Sequence, residues 1–311
     1  MFRRGAETLA RTLAGALVAA VPAMFSAGCM CRLSVPASVC VQRTAEGPLA
    51  GRKPELCLVS PRTPRSPSVL ILYATGDGGW VGTSKLVFRH LAERGYPLVG
   101  IESRDYLKNI KREKEFISPD LLAGDLASII DAAKHEMGLP AATPAILVGV
   151  SRGAEIMVVA AAQPALQPRP AGAVALALTR ETDEIRERRR SRKLAASRDP
   201  STMENGQVLT YVRLKSAYDI PISVIQSTND RYMPAAEART LFGADTGMRR
   251  LRAVKARNHG FGGADDAMLR EVDDALDWIE SLMQQGASRA TAPAAPDPGS
   301  PRPRHGRVSP R

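Results

Sequence analysis

Three side chains far apart in the chain have the types that nucleophilic acyl transfer needs: Ser151, Asp230 and His259. Ser151 is the centre of Gly149-Val150-Ser151-Arg152-Gly153, which matches G-x-S-x-G. In that spacing the serine occupies a strained turn between a strand and a helix. The turn lifts the hydroxyl clear of the sheet, and glycine on both sides lets neighbouring backbone pass without a clash. The pentapeptide alone is a weak signal, so its surroundings carry the reading. An apolar run over 145–150 ends at the motif, and Ala154, Ile156, Met157 and the alanines beyond continue as a close-packed helix.

A serine hydroxyl needs a base to become a useful nucleophile. His259 stands downstream of Ser151 in the glycine-rich stretch Asn258-His259-Gly260-Phe261-Gly262, whereas His305 falls in the terminal tail. Asp230 closes Val224-Ile225-Gln226-Ser227-Thr228-Asn229-Asp230, where an apolar run meets a polar turn that Pro234 stiffens. A carboxylate there would hold the imidazole in one tautomer and stabilise its protonated form. Asn229 is no substitute, because it lacks the charge. The chain order Ser, Asp, His is the one that accompanies a nucleophile on a strand-to-helix turn.

Acyl transfer also needs donors for a developing oxyanion. Gly76-Asp77-Gly78-Gly79-Trp80 follows the first clear strand, and consecutive glycines let the Asp77 and Gly78 amides turn inward. The Arg152 amide, at a helix start, is the expected second donor. A phosphate cradle is the competing reading of these glycines, but no lysine follows at nucleotide-loop spacing. Trp80 either lines the substrate pocket or caps the sheet edge. Glu155, four residues after Ser151, either stabilises the helix terminus or faces a cationic group on a substrate.

These residues require elements to position them. Between 66 and 285 short apolar runs alternate with longer amphipathic stretches, the pattern of an α/β fold with a mostly parallel sheet and helices on both faces. Strands are expected at 68–74, 96–101, 145–150, 171–178, 220–226 and 250–254, about six in all. Helices are expected at 83–94, 118–137, after Ser151, and at 264–284, where Met268, Val272, Ala275, Leu276, Ile279 and Leu282 recur at helical spacing. Ser118-Pro119-Asp120 is a helix start and Gly138 a helix stop. The segment 180–198 breaks the rhythm with many arginines and few apolar residues. It reads either as a solvated helix or loop laced with charge pairs, or as a lid inserted after a late strand.

The ends differ from the middle. Arg3, Arg4 and Arg11 precede a nearly uncharged stretch and the small residues Ser26-Ala27-Gly28 before Cys29, so residues 1–28 read as an export signal. Small residues before Cys29 resemble a lipoprotein cleavage box, leaving two readings, acylation of Cys29 or ordinary signal cleavage. Residues 29–65 are expected to be an N-terminal extension or linker, 66–285 the folded domain, and 286–311, rich in Ala, Pro, Ser and Arg, a mobile tail. All four cysteines, Cys29, Cys31, Cys40 and Cys57, lie near the start. Export would permit a Cys40–Cys57 disulfide, and unpaired thiols are the alternative. Their spacing and the scattered His90, His135, His259 and His305 do not suit a metal, and no cofactor is expected.

The formal charge of +11 raises the question of nucleic acid. The tail, however, holds five arginines against one aspartate and the export segment three arginines against one glutamate, so the domain itself is only modestly positive. No recognition motif accompanies the charge, and an anionic membrane surface suits an exported protein better than nucleic acid does.

Tyr73-Ala74-Thr75-Gly76-Asp77-Gly78-Gly79-Trp80 resembles the signature of the bacterial AcvB/VirJ virulence proteins, as do Gly149 to Glu155, the Asp230 turn and Asn258-His259. The likeness spans about residues 66–284. It implies an α/β-hydrolase fold, a periplasmic location, and a link to type IV secretion or to hydrolysis of aminoacylated phosphatidylglycerol. On that resemblance Ser151, Asp230 and His259 would cleave a lysyl or alanyl ester from a lipid head group, with Glu155 and Asp77 sensing the ammonium. Arg152, where the family often has an aromatic residue, and the arginine-rich segment depart from the pattern. The expected function is thus an exported serine hydrolase acting on ester or phospholipid substrates through an acyl-enzyme. The alternative is a non-catalytic periplasmic protein that keeps the fold and binds a secretion-system or envelope partner.

Overall fold

The side chains of Leu70–Ala74 hold one polar atom, the Tyr73 hydroxyl, and all five residues are buried, as a strand covered on both faces must be. The computed structural model describes residues 40–46, 55–65, 69–113, 117–186, 203–204 and 207–291. The expected export segment, Cys29, Cys31, most of the arginine-rich stretch and residues 292–311 lie outside the described residues.

The strands are β1 (Cys40–Glu46), β2 (Glu55–Pro61), β3 (Leu70–Ala74), β4 (Leu98–Ile101), β5 (Ala145–Val150), β6 (Gly172–Leu176), β7 (Glu181–Arg186), β8 (Met203–Glu204), β9 (Gln207–Leu209), β10 (Ile222–Ser227) and β11 (Arg249–Val254). The helices are α1 (Gly82–Glu93), α2 (Ser103–Glu113), α3 (Pro119–Met137), α4 (Arg152–Ala161), α5 (Thr210–Ser216), α6 (Ala235–Phe242) and α7 (Asp265–Thr291). Eight strands form the main sheet in the order β1-β2-β4-β3-β5-β6-β10-β11. The six from β4 to β11 pair in parallel and coincide with the six expected, while β1 and β2 add an antiparallel edge.

Side chains alternate across this sheet, so it has two cores. Leu70, Leu72 and Leu147 face α2 to α6, whereas Ile71, Tyr73, Ile146 and Val148 face α1 and α7. Each helix presents an apolar stripe to its side, Val87, Phe88 and Leu91 from α1 and Met268, Val272, Leu276 and Ile279 from α7. The α3 ends follow the sequence signals: Ser118 Oγ accepts from the Leu121 amide, and Gly138 closes the helix at φ 66°.

Three features differ from the sequence reading. The segment 29–65 is not merely an extension, because Leu56, Cys57, Leu58 and Val59 of β2 are buried in the sheet. The register sets Cys40 opposite Pro61 and Cys57 opposite Thr44. Four residues of strand separate the two cysteines by about 13 Å, beyond the roughly 7 Å between Cα atoms that a disulfide tolerates. Cys57 is disulfide-bonded, but not to Cys40 in that register.

The second difference is α7, which continues to Thr291, past the expected boundary at 285. The third is the charged segment. Its described part is neither helix nor loop but strand β7, which joins β9 and β8 in a small antiparallel sheet beside the ends of the parallel strands.

Candidate active site

The parallel strands all point their C-terminal ends to one side, where an open α/β sheet forms its crevice. There the chain leaves β5 through Ser151, whose backbone sits at φ 52° and ψ −117°, outside the regions an L-residue ordinarily occupies. The flanking glycines make this turn feasible. A Cβ on Gly149 would lie 2.3 Å from the Gly153 carbonyl, and one on Gly153 would lie 2.2 Å from the Ala74 oxygen. The Ser151 amide donates to the Leu176 carbonyl at 2.8 Å, tying the turn to β6.

His259 reaches this hydroxyl from the loop after β11, with Nε2 2.8 Å from Ser151 Oγ. Its Nδ1 lies 2.6 Å from Asp230 Oδ2. Since the carboxylate can only accept, Nδ1 carries the hydrogen and Nε2 is left to accept from the serine. A hydroxyl, imidazole and carboxylate linked in this way can pass a proton from oxygen to Nε2 while the carboxylate balances the charge.

Each member is held by its own surroundings. Asp230 is 1% exposed; its Oδ1 accepts from the Tyr232 and Met233 amides at 2.8 and 3.3 Å, and its Oδ2 from Gln226 Nε2 at 2.9 Å. Such saturation holds a buried carboxylate in one orientation. Asn229 Nδ2 donates to the Ala256 carbonyl at 2.6 Å, linking the acid turn to the start of the histidine loop. Thr83 at the start of α1 donates to the Gly260 carbonyl at 2.6 Å. Asn258 Oδ1 accepts from the Gly262 amide within the loop, and the fully buried Phe261 anchors it at φ 58°.

The glycine loop after β3 lies across from Ser151. The Gly76 amide is occupied by Ser84 Oγ at 2.9 Å, but no described residue accepts from the Asp77 and Gly78 amides. Arg152 opens α4 and its side chain forms a forked ion pair with the Asp77 carboxylate. Asp77, expected also as a sensor of ammonium, therefore has its carboxylate committed to Arg152.

A cleft of about 690 Å³ opens over these groups, lined among others by Gly78, Arg152, Glu155, Thr179, Tyr232 and Glu237. Glu155 is nearly buried in its wall, and its carboxylate accepts from Thr179 Oγ1. Trp80 does not line the cleft. Its ring packs on Phe88 and Tyr73 at centroid distances of 5.0 and 6.1 Å and covers Gly100 of β4. It is thus found neither in the pocket nor at the sheet edge, the two sequence readings, since β4 is an interior strand. Among the described residues no group of three His, Cys, Asp or Glu side chains could hold a metal ion.

Sequence reasoning missed Thr83, Thr179, Gln226 and Tyr232. Tyr232 could have been found from its place two residues after Asp230; its ring meets His259 edge-on at 4.9 Å. Gln226, four residues before Asp230, could have been found in the same way, whereas Thr83 and Thr179 carry no signal of spacing, since their partners lie on other elements.

No curated protein matches the chain. Similar solved structures include a candidate dienelactone hydrolase from Klebsiella pneumoniae, 13% identical with a TM-score of 0.55 over 78% of this chain and 98% of that one. Another is the esterase Pf2001 of Pyrococcus furiosus, 13% identical with a TM-score of 0.54 over 76% of this chain and 90% of that one. At these identities the likeness is one of fold. The family model described as bacterial virulence protein (VirJ) matches residues 68–183, which run from β3 through the Ser151 turn to β7. Over that stretch the chain is similar to the VirJ family, and its fold is that of the α/β-hydrolases.

Proposed function

We propose that the chain is an exported serine hydrolase that cleaves carboxylic esters through an acyl-enzyme. The observation that carries this reading is the unbroken chain of hydrogen bonds from Ser151 Oγ through His259 to Asp230, at 2.8 and 2.6 Å. Ser151 Oγ attacks the ester carbon as its proton passes to His259 Nε2, and the carbonyl oxygen becomes an oxyanion beside the Asp77, Gly78 and Arg152 amides. Collapse breaks the bond to the alcohol oxygen, which takes the proton from His259. Water then attacks the acyl-serine, again giving its proton to His259; the bond to Oγ breaks, Ser151 recovers the proton, and the acid leaves.

Aminoacyl esters of phosphatidylglycerol are the substrate class to test first. Glu155, Glu181 and Glu237 bring three carboxylates to a cleft that also holds Arg180 and the Arg152–Asp77 pair, and a protonated amino group complements the negative charge that outweighs them. With Asp77 held by Arg152, Glu155, in the first turn of the helix that Ser151 precedes, is the carboxylate to test as the counter-charge. The first 28 residues support export to the periplasm, with Cys29 acylation as a means of holding the enzyme at the membrane where such lipids reside.

The test is active-site labelling and turnover. A fluorophosphonate should label Ser151, and Ser151→Ala should abolish both labelling and hydrolysis of p-nitrophenyl butyrate and of lysyl- or alanyl-phosphatidylglycerol. A well-folded wild-type protein that neither labels nor turns over any of these esters would overturn the reading in favour of a binding protein.

A further inference from the structure

Gln226, at the penultimate position of β10, is fully buried directly behind Asp230. Its Nε2 lies 2.9 Å from Asp230 Oδ2 and 2.6 Å from the Met233 carbonyl oxygen. Both partners can only accept, so the amide orientation is fixed by chemistry: the NH₂ group must face them, with one hydrogen to each. Its own carbonyl oxygen is left buried without a partner. Leaving an acceptor unpaired is unfavourable, and the arrangement is retained because turning the amide over would set oxygen against a carboxylate.

The bonds close a ring. Gln226 holds Asp230 Oδ2 and the Met233 carbonyl, and the Met233 amide holds Asp230 Oδ1 at 3.3 Å. The oxygen that Gln226 contacts is the one that receives His259 Nδ1. A freely turning carboxylate could offer either oxygen, or neither, to the imidazole; this one is restricted to a single rotamer.

We propose that Gln226 is a positioning residue of the relay, which fixes the Asp230 carboxylate and moderates its pull on His259. The inference rests on the reading of Ser151, His259 and Asp230 as the reacting set. The donor from Gln226 shares the negative charge on Oδ2. Without it more of that charge falls on His259, the imidazolium is better stabilised, and the histidine loses its proton only at higher pH.

The experiment compares wild type, Gln226→Met and Gln226→Glu. Methionine keeps the volume without donors; glutamic acid has at most one hydrogen for two acceptors. Both variants should keep KM for p-nitrophenyl butyrate within about twofold and lose about 10- to 100-fold in kcat, the scale of small misplacements of a reacting group. In Gln226→Met the acidic limb of the kcat/KM profile should move to higher pH, and in Gln226→Glu the loss should deepen as pH rises and the introduced carboxyl ionises. Folded variants with wild-type kcat and an unmoved acidic limb would overturn the role. Proton NMR gives a reading independent of turnover: the His259 Nδ1 hydrogen, far downfield in wild type, should broaden or vanish in the variants, and its persistence unchanged would overturn the proposal. If neither variant folds, the wild-type Gln226 amide decides the matter, slow exchange with solvent supporting the proposal and exchange at the rate of an open side chain refuting it. Absence of Ser151-dependent turnover in wild type would instead overturn the hydrolase reading.

Discussion

Gly153 of the Ser151 turn lies against Ala74, the last residue of β3, so closely that a methyl group on Gly153 would come within 2.2 Å of the Ala74 carbonyl oxygen. The obstruction is backbone, which cannot step aside as a flexible side chain can. Gly153→Ala should therefore force α4 away from β3 and cost about 3 kcal/mol or more of stability, at or beyond the upper end for overpacked sites. Turnover should fall further than stability, because the displacement moves Ser151 from His259. Thermal melting beside ester hydrolysis checks this, and a variant with wild-type melting and activity would contradict it.

Arg152 and Asp77 join the Ser151 turn to the glycine loop across the cleft mouth. Asp77 is largely exposed, so the pair should add less than about 1 kcal/mol to stability. Its effect on specificity is expected to be larger. Arg152→Ala removes one positive charge and releases a carboxylate at the mouth, so cationic esters should gain on neutral ones by several-fold in kcat/KM at low salt, with the gain shrinking as ionic strength rises. Paired kinetics on a choline ester and its uncharged analogue measure this ratio. An unchanged ratio at low salt would count against the ion pair as a filter.

The contrast between Ser151 and Trp80 shows what the sequence makes legible. Six parallel strands could be read because each is a short apolar run closed by turn residues, and the Ser151 turn because two glycines flank a serine at the end of such a run. The grouping of Ser151, Asp230 and His259 follows from their all standing after strands of one parallel sheet. Trp80 was open because nothing in its neighbours reveals that Gly100, twenty residues on, leaves a hollow for its ring. Asp77 and Arg152 are 75 residues apart, and a pairing over that distance has no period. Strand β2 was readable in Leu56-Cys57-Leu58-Val59, but the surrounding prolines and arginines masked it. The antiparallel strands β7 to β9 are short and charged, so their composition resembles that of a solvated loop.

Trp80 is expected to act on stability rather than on substrate. Its ring packs on Phe88 and Tyr73 and covers Gly100, so Trp80→Ala should cost about 3 kcal/mol, the low end for a deleted large aromatic because the residue is only partly buried. Trp80→Phe should recover much of that loss with KM for p-nitrophenyl esters unchanged. A rise in KM without a change in melting temperature would return Trp80 to the pocket.

Asp219, just ahead of β10, gives a pH test separate from the chemistry. Arg169 grips its carboxylate with Nε and Nη2, both at 2.8 Å; Nη2 also donates to the Ala161 carbonyl at the end of α4, and Nη1 donates to the Gln163 carbonyl just beyond it. The Arg169 hydrogen bonds outweigh burial and lower the Asp219 pKa below its ordinary 3.8. A carboxylate whose folded value is depressed adds stability that is complete above the unfolded value and disappears as pH falls through the folded one. Asp219→Asn should thus melt below wild type at pH 7, by a modest margin because Asp219 is partly exposed. The two melting curves should approach each other as pH drops below about 3.8. A gap that stays constant down to pH 2 would mean that the loss in Asp219→Asn comes from packing rather than from charge.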